Sequence, residues 1–388
     1  MRIIMRALAL FLLPASIGAT APAHLLTGDH FGGYSGTHTV AADVAAQWLT
    51  WAETDFAGSR LLQRYGVKTM LYTDPNRVMK GDADFPSDES AFAHDCSGSR
   101  IESAHRAGQF VADPHAASLA AVWKSHVRRY VAEGHYDAVF EDDADTVRYS
   151  TGQPCRFDAI DWLRATIAMQ GSLGFPIIYN GLNDFSDRTV SISVALNQTA
   201  IGGMMEECYG SSPGLPRTSG DSWYVAEQTE LRMSAERKLF FCYDNDTEPA
   251  AGAAASRLYV LGSFLLTYDA ATSALWEYFQ GPSHFHVMPE VQLVPLGPIE
   301  SPRSIDDLRV PTGLFERRYR SCYLARRNQG PCAVVVNPDS SPHELPLNGY
   351  RRTLRISGAG ILDGGTVRIT QQAPPSELDG LSAVVAFR

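Results

Sequence analysis

From about residue 40 to residue 280 the chain alternates between two spacings of apolar residues. Stretches with apolar positions three and four apart predict helices with one buried face, and short runs of branched and aromatic residues predict strands. The clearest helix opens at Asp113-Pro114, carries Leu119, Val122, Trp123, Val127, Tyr130 and Val131 on one face, and closes at Gly134. A strand from Tyr136 to Asp142 follows at once. Phe157, Ile160, Leu163 and Ile167 repeat the helical spacing, then come Gly174 and a strand from Pro176 to Asn180. The unit is helix, glycine, strand, polar tip.

The same reading predicts strands at Lys68 to Tyr72, Ile201 to Glu207, Leu239 to Asp244 and Phe264 to Asp269, with weaker ones at Leu25 to Gly33 and Ser90 to His94. Trp48, Trp51, Trp123 and Trp162 are expected to fill cores from helices. Strands alternating with helices imply a parallel sheet. Each clear strand ends on polar residues, as expected of an eight-stranded barrel whose C-terminal strand ends form one functional face. An open doubly wound sheet is disfavoured, because no Gly-rich phosphate turn follows a first strand. Beyond Leu296 the pattern changes to short strands parted by Gly, Pro, Asp and Ser, at Cys332-Ala-Val-Val-Val-Asn337, Leu354 to Gly358, Thr366 to Thr370 and Ala383 to Phe387. The expected fold is therefore α/β, a (β/α)8 TIM barrel over residues 23–295 with a C-terminal antiparallel β-sandwich over 296–388.

Residues 1–22 read as a cleaved signal peptide: Arg2 and Arg6, then a short apolar stretch, then small residues at Ala19 and Ala21. The apolar stretch falls short of the roughly 20 residues a spanning helix needs, so the expected location is secreted or periplasmic, with no membrane contact after cleavage. The 388 residues carry 33 basic and 43 acidic side chains, a net charge of −10. Such a chain repels phosphate backbones and is not expected to bind nucleic acid. Its one compact basic cluster, Arg317, Arg318 and Arg320, reads as a solvated strand face. Six cysteines in an exported chain suggest three disulfides. Local layout favours Cys322 with Cys332 across a hairpin, Cys208 with Cys242 on neighbouring strands, and Cys96 with Cys155 between two loops. No Cys-x-x-Cys pair points to zinc.

Acids supply the candidate chemistry. Glu141, Asp142, Asp143 and Asp145 crowd one strand end, and Glu206 and Glu207 another. Ionised carboxylates are costly inside a strand, so both bursts belong at a mouth facing substrate or metal. Ala138, Phe140 and Asp142 share one side of their strand, Val139, Glu141 and Asp143 the other; both sets are partly apolar, and alternation alone does not choose between them. The run from Asp137 to Asp143 is similar to the Asp-Gly-x-x-x-Asp strand of many TIM-barrel glycoside hydrolases, with Ala138 in place of the usual Gly. The chain also resembles the hypothetical glycosyl hydrolase families related to α-galactosidases and polygalactosaminidases, and Gly313-Leu-Phe-Glu-Arg-Arg-Tyr and Val336-Asn-Pro resemble the β-sandwich that follows many such barrels.

That resemblance implies Asp142 on the fourth strand as nucleophile or base, with Asp143 in reserve, and Glu206 or Glu207 on the sixth strand as general acid. It implies a carbohydrate substrate and no cofactor. Asp74, Tyr179, Asn180, Tyr209, Asp244, Asp246, Tyr268 and Trp276, at or near strand ends, are the expected substrate contacts. Two alternatives stand beside it: a metal-dependent sugar-processing enzyme holding Ca²⁺ or Mg²⁺ on Glu141, Asp142, Asp143 and Asp145, and a barrel that binds a polysaccharide without cleaving it. Oligomeric state is not legible.

Overall fold

A computed structural model describes residues 22–32, 40–82, 85–104, 106–142, 150–182, 200–210, 219–244, 253–277 and 287–388. Asp143, Asp145, Asp246 and the expected signal peptide, apart from its last residue, lie outside them.

Eight parallel strands close into a barrel: β1 (Leu26–Phe31), β2 (Trp51–Thr54), β3 (Lys68–Thr73), β4 (Ala138–Glu141), β5 (Ile177–Asn180), β6 (Gly202–Glu206), β7 (Leu239–Asp244) and β8 (Ser273–Glu277), with β8 pairing back onto β1. Alternation sorts their side chains into two layers. Trp51, Met70, Ala138, Phe140, Ile178, Met204, Phe241, Tyr243, Ala274 and Trp276 pack inside the barrel. Val139 faces the other way, into helix α3 (Ala117–Gly134) with Leu119, Trp123 and Val127. That helix ends as expected near Gly134, but the left-handed residue is His135, at φ 57°. Gly134 is needed for another reason: a Cβ there would lie 2.2 Å from the Tyr136 ring.

Three expectations fail here. The run Phe264 to Asp269 is not a strand; its apolar part ends helix α6 (Ala253–Thr267), and the eighth strand is Ser273–Glu277. Helix α6 touches the barrel on one side and the C-terminal sheet on the other, so it is apolar nearly all round and lacks the one-sided periodicity that marks a surface helix. Its Gly262 sits where a Cβ would come within 2.4 Å of Ala383. Ser90 to His94 forms a 3₁₀ turn at Glu89–Ala91 and isolated bridges, not a barrel strand. Trp51 lies on β2, a strand the helical reading had hidden.

The C-terminal part is a seven-stranded antiparallel sheet with a two-stranded ribbon beside it. The sheet begins at Leu293, so the expected boundary at residue 296 falls within its first strand, Leu293–Pro298. Val334, Val336, Ala383 and Val385 join the core beneath α6, while Val335, Val384 and Ala386 face the ribbon side with Leu345 and Leu378. Arg317 corrects the reading of a solvated basic face: it is buried and donates from Nη1 to the carbonyls of Leu266 and Tyr268 at 2.9 and 3.0 Å, satisfying the end of α6. Buried Arg257 and Glu290 tie barrel to sheet through a two-pronged ion pair, Nε to Oε1 at 2.7 Å and Nη2 to Oε2 at 2.5 Å. The three disulfides are Cys96–Cys155, Cys208–Cys242 and Cys322–Cys332, the pairing the local layout favours.

Candidate active site

Every barrel strand sends one polar or aromatic side chain inward near its C-terminal end. In barrel order these are His30, Glu53, Tyr72, Asp142, Asn180, Glu206, Tyr243 and Trp276, each two residues beyond an inward-facing residue of its own strand. All but Glu53 line one cavity of about 190 Å³, floored by Phe140 and Met204. That is below the roughly 300–1,000 Å³ of an ordinary small-molecule pocket and suits about one sugar ring.

The centre is a bridge across β4, β5 and β6. Asn180 Nδ2 donates to Asp142 Oδ1 at 2.9 Å and to Glu206 Oε1 at 2.7 Å. Those two oxygens are therefore at most about 5.6 Å apart, the sum of the two bonds, and about 4.9 Å apart if the two N–H bonds diverge by their ordinary angle of roughly 120°. Asp142 is held from both sides. Tyr72 O–H donates to its other oxygen, Oδ2, at 2.7 Å, and its backbone N–H donates to Thr73 O at 2.8 Å.

Beside this bridge, His30 Nδ1 meets Glu53 Oε2 at 2.9 Å across the β1–β2 register, which places the two residues opposite one another. Burial pulls the His30 pKa down, but the charge of Glu53 and its hydrogen bond, with Asp29 and Asp142 nearby, outweigh it and leave the pKa above the ordinary value. The charged form is thus held more readily here than in a free histidine. Trp276 lies edge-on to His30 at 5.3 Å and nearly parallel to Phe140 at 6.1 Å, and its buried indole N–H has no hydrogen-bond partner among the described residues. The ring fits only because residue 28 is glycine: a Cβ there would sit 2.2 Å from Trp276 Cε3.

The structure brings Asp142, Asn180, Glu206 and Trp276 together and sends elsewhere the other expected site residues that it describes. Tyr179 and Asp244 take the outward side of their strands; Tyr179 is fully buried among helix-side residues, and Asp244 borders a separate cavity of about 30 Å³ with Arg257 and Glu290. Tyr209, just past β6, is fully buried in the helix-side core and donates to Glu230 Oε2 at 3.2 Å. Tyr268 precedes β8, at the opposite end of the barrel from the cavity, and is buried against the α6 side. Glu207 is exposed in left-handed backbone at φ 52°, just past β6. Asp74 lines a neighbouring cavity beyond Tyr72. Glu141 faces away from Asp142, bonded to Thr73 Oγ1 at 2.7 Å, so these two acids cannot close on one metal ion.

His30 and Glu53 are site residues that sequence reasoning missed. Phe31 and Thr54, which follow them, gave no acidic burst to mark a strand end. A period-2 reading of β1, expected at Leu25 to Gly33, and of β2, not expected as a strand, would have put His30 and Glu53 in the inward set.

No family model matches the chain, and no curated protein matches it. Among solved structures it is similar to a variant of the glycoside hydrolase domain of PelA from Pseudomonas aeruginosa, at 13% identity and a TM-score of 0.44, over 65% of this chain and 94% of that one. It is also similar to Ega3 of Aspergillus fumigatus in complex with galactosamine, at 13% identity and a TM-score of 0.40, over 68% and 94%. A pullulanase from Anoxybacillus complexed with maltotriose aligns over 100% of this chain and 71% of its own, at 10% identity and a TM-score of 0.49.

Proposed function

We propose that this protein is a retaining glycoside hydrolase acting on an oligo- or polysaccharide, with Asp142 as nucleophile and Glu206 as acid and then base. One observation carries the reading: a single amide, Asn180, bonds both carboxyl groups in one cavity and so limits their separation to about 5.6 Å. Retaining enzymes keep their carboxyl groups about 5–5.5 Å apart, whereas inverting ones leave roughly 6.5–9.5 Å for a water.

Asp142 fits the nucleophile because Tyr72 and Asn180 hold both of its oxygens and fix its plane. In the first step an Asp142 oxygen bonds to the anomeric carbon as the glycosidic C–O bond breaks, and Glu206 gives its proton to the leaving oxygen. In the second, Glu206 takes a proton from water, the water oxygen bonds to the same carbon, and the Asp142 ester bond breaks. The Trp276 N–H, which has no partner among the described residues, and the His30 ring, whose charged form Glu53 favours, offer donors suited to sugar oxygens. The three disulfides and the leader-like residues 1–22 support an exported protein. Among the described residues no helix is long and apolar enough to cross a membrane.

The test is reducing-sugar release over a polysaccharide panel, with the anomer of the first product followed by NMR. The expected result is retention, with Asp142→Asn and Glu206→Gln folded and at least a thousandfold slower. An inverted first product, or full turnover by Asp142→Asn, overturns the assignment.

A further inference from the structure

On the far side of Tyr72 from Asp142 lies a second cavity, of about 450 Å³, more than twice the volume of the first. Tyr72 lines both, so the two cavities are neighbours across one phenol ring. The second is built mainly by the segment between β3 and α3 and by α3 itself, and its walls are rich in donors: Arg77, Arg106, Gln109, Trp123 and His126. Trp123 is only 4% exposed, and among the described residues its indole N–H has no hydrogen-bond partner. An indole nitrogen only donates, and a buried donor left unpaired costs about 1–3 kcal/mol. Its natural complement is an acceptor brought by a ligand.

In a chain of net charge −10, two guanidiniums on one cavity wall stand out. Arginine presents paired N–H groups that match a carboxylate. Asp74 and Asp82 lie on the same wall. They keep it from being a general trap for polyanions and can accept bonds from sugar hydroxyls. A ligand with one carboxylate among neutral hydroxyls satisfies both sets.

On the reading of the Asp142 cavity as the cleavage site, we infer that the cavity lined by Arg77, Arg106 and Trp123 is a binding subsite for a uronic acid unit next to the cleaved bond, so that the substrate is an acidic polysaccharide.

The test uses the full chain carrying Asp142→Asn, so that binding is read without turnover. Calorimetry compares tetramers of galacturonate, glucuronate, mannuronate and guluronate with the same tetramers after reduction of their carboxyl groups to neutral hexoses. At least one uronate tetramer is expected to bind ten times or more tighter than its reduced form, with a preference that shrinks as salt rises. Adding Arg106→Gln, at an exposed position, should bring the pair within threefold. Adding Trp123→Phe, which keeps the ring but removes the N–H, should weaken the uronate tetramer severalfold. Equal affinity for charged and reduced forms, or a preference that survives Arg106→Gln, overturns the subsite. Turnover is scored separately on the parent: an Arg106-dependent uronate preference in a parent that cleaves nothing would overturn the hydrolase reading and leave the subsite standing.

Discussion

Replacing Asn180 by alanine removes the one group that touches both carboxyls. Two hydrogen bonds are lost, at 2.9 Å to Asp142 and 2.7 Å to Glu206, and bonds to charged groups contribute about 1.5–3 kcal/mol each. Not all of that is differential. As Asp142 attacks it gives up negative charge, and as Glu206 releases its proton it gains it, so the amide follows the charge from one acid to the other. What alanine forfeits is chiefly the position of the two groups and the donor that follows a single negative charge between them. That charge stays single because two carboxylates ionised together about 5 Å apart would repel by about 3 kcal/mol at an effective dielectric of 20. A loss of about 2–4 kcal/mol from the transition state corresponds to roughly 30- to 1,000-fold in kcat. Steady-state kinetics on the responding polysaccharide should show this fall in kcat with KM changed less than threefold, in a protein that still melts cooperatively within a few degrees of the parent. A kcat within threefold of the parent would refute the bridging role and the carboxyl spacing argued from it.

Gly28→Ala drives a Cβ to within 2.2 Å of Trp276; the ring must move, at a cost of about 1–3 kcal/mol, and a shift in tryptophan fluorescence with weakened sugar binding is expected, while a variant of parental stability and affinity would contradict the tight seat. Desolvation pushes the buried Glu141 carboxyl from 4.5 up to about 8, against the pull of its bond to Thr73 and of the nearby Gln170 amide. A raised acid binds its proton in the folded state first, so its contribution is complete below about pH 4.5 and is lost as pH rises toward 8. Urea titrations at pH 5 and 8.5 should therefore show the loss in the parent and a smaller one in Glu141→Gln, and equal losses in both proteins would count against a buried neutral acid. Removing Cys96–Cys155, which spans 59 residues, should cost about 4 kcal/mol of chain-entropy stabilisation, and a double serine variant less than 1 kcal/mol weaker in urea would show that the loops it joins are restrained by other contacts.

Much of this molecule is legible from the chain alone. Helical spacing located α3, six of the eight barrel strands were marked in place or nearly so, and the acids Asp142 and Glu206 announced the ends of the fourth and sixth. Failure came where the local pattern carries no direction. The apolar stretch ending α6 looks the same whether it is a strand or a helix covered on both sides, and only the C-terminal sheet lying over it decides. Arg317 reads as a surface charge until the carbonyls at the end of α6 are placed beside it.

The site divides in the same way. Period 2 along a strand is a property of the backbone, so the chain alone determines that Asp142 travels with Phe140 and Ala138, and Asp244 with Cys242. Which of the two sets faces the axis depends on the strands to either side, and that is why Tyr179 and Asp244, equally plausible from their place at strand ends, turn away while Asn180 and Tyr243 turn in. The bridge from Asn180 to two acids, 38 and 26 residues away, exists only because barrel closure sets β4, β5 and β6 side by side. Sequence specifies the chemistry each strand can deliver; the closed sheet alone specifies what that chemistry meets.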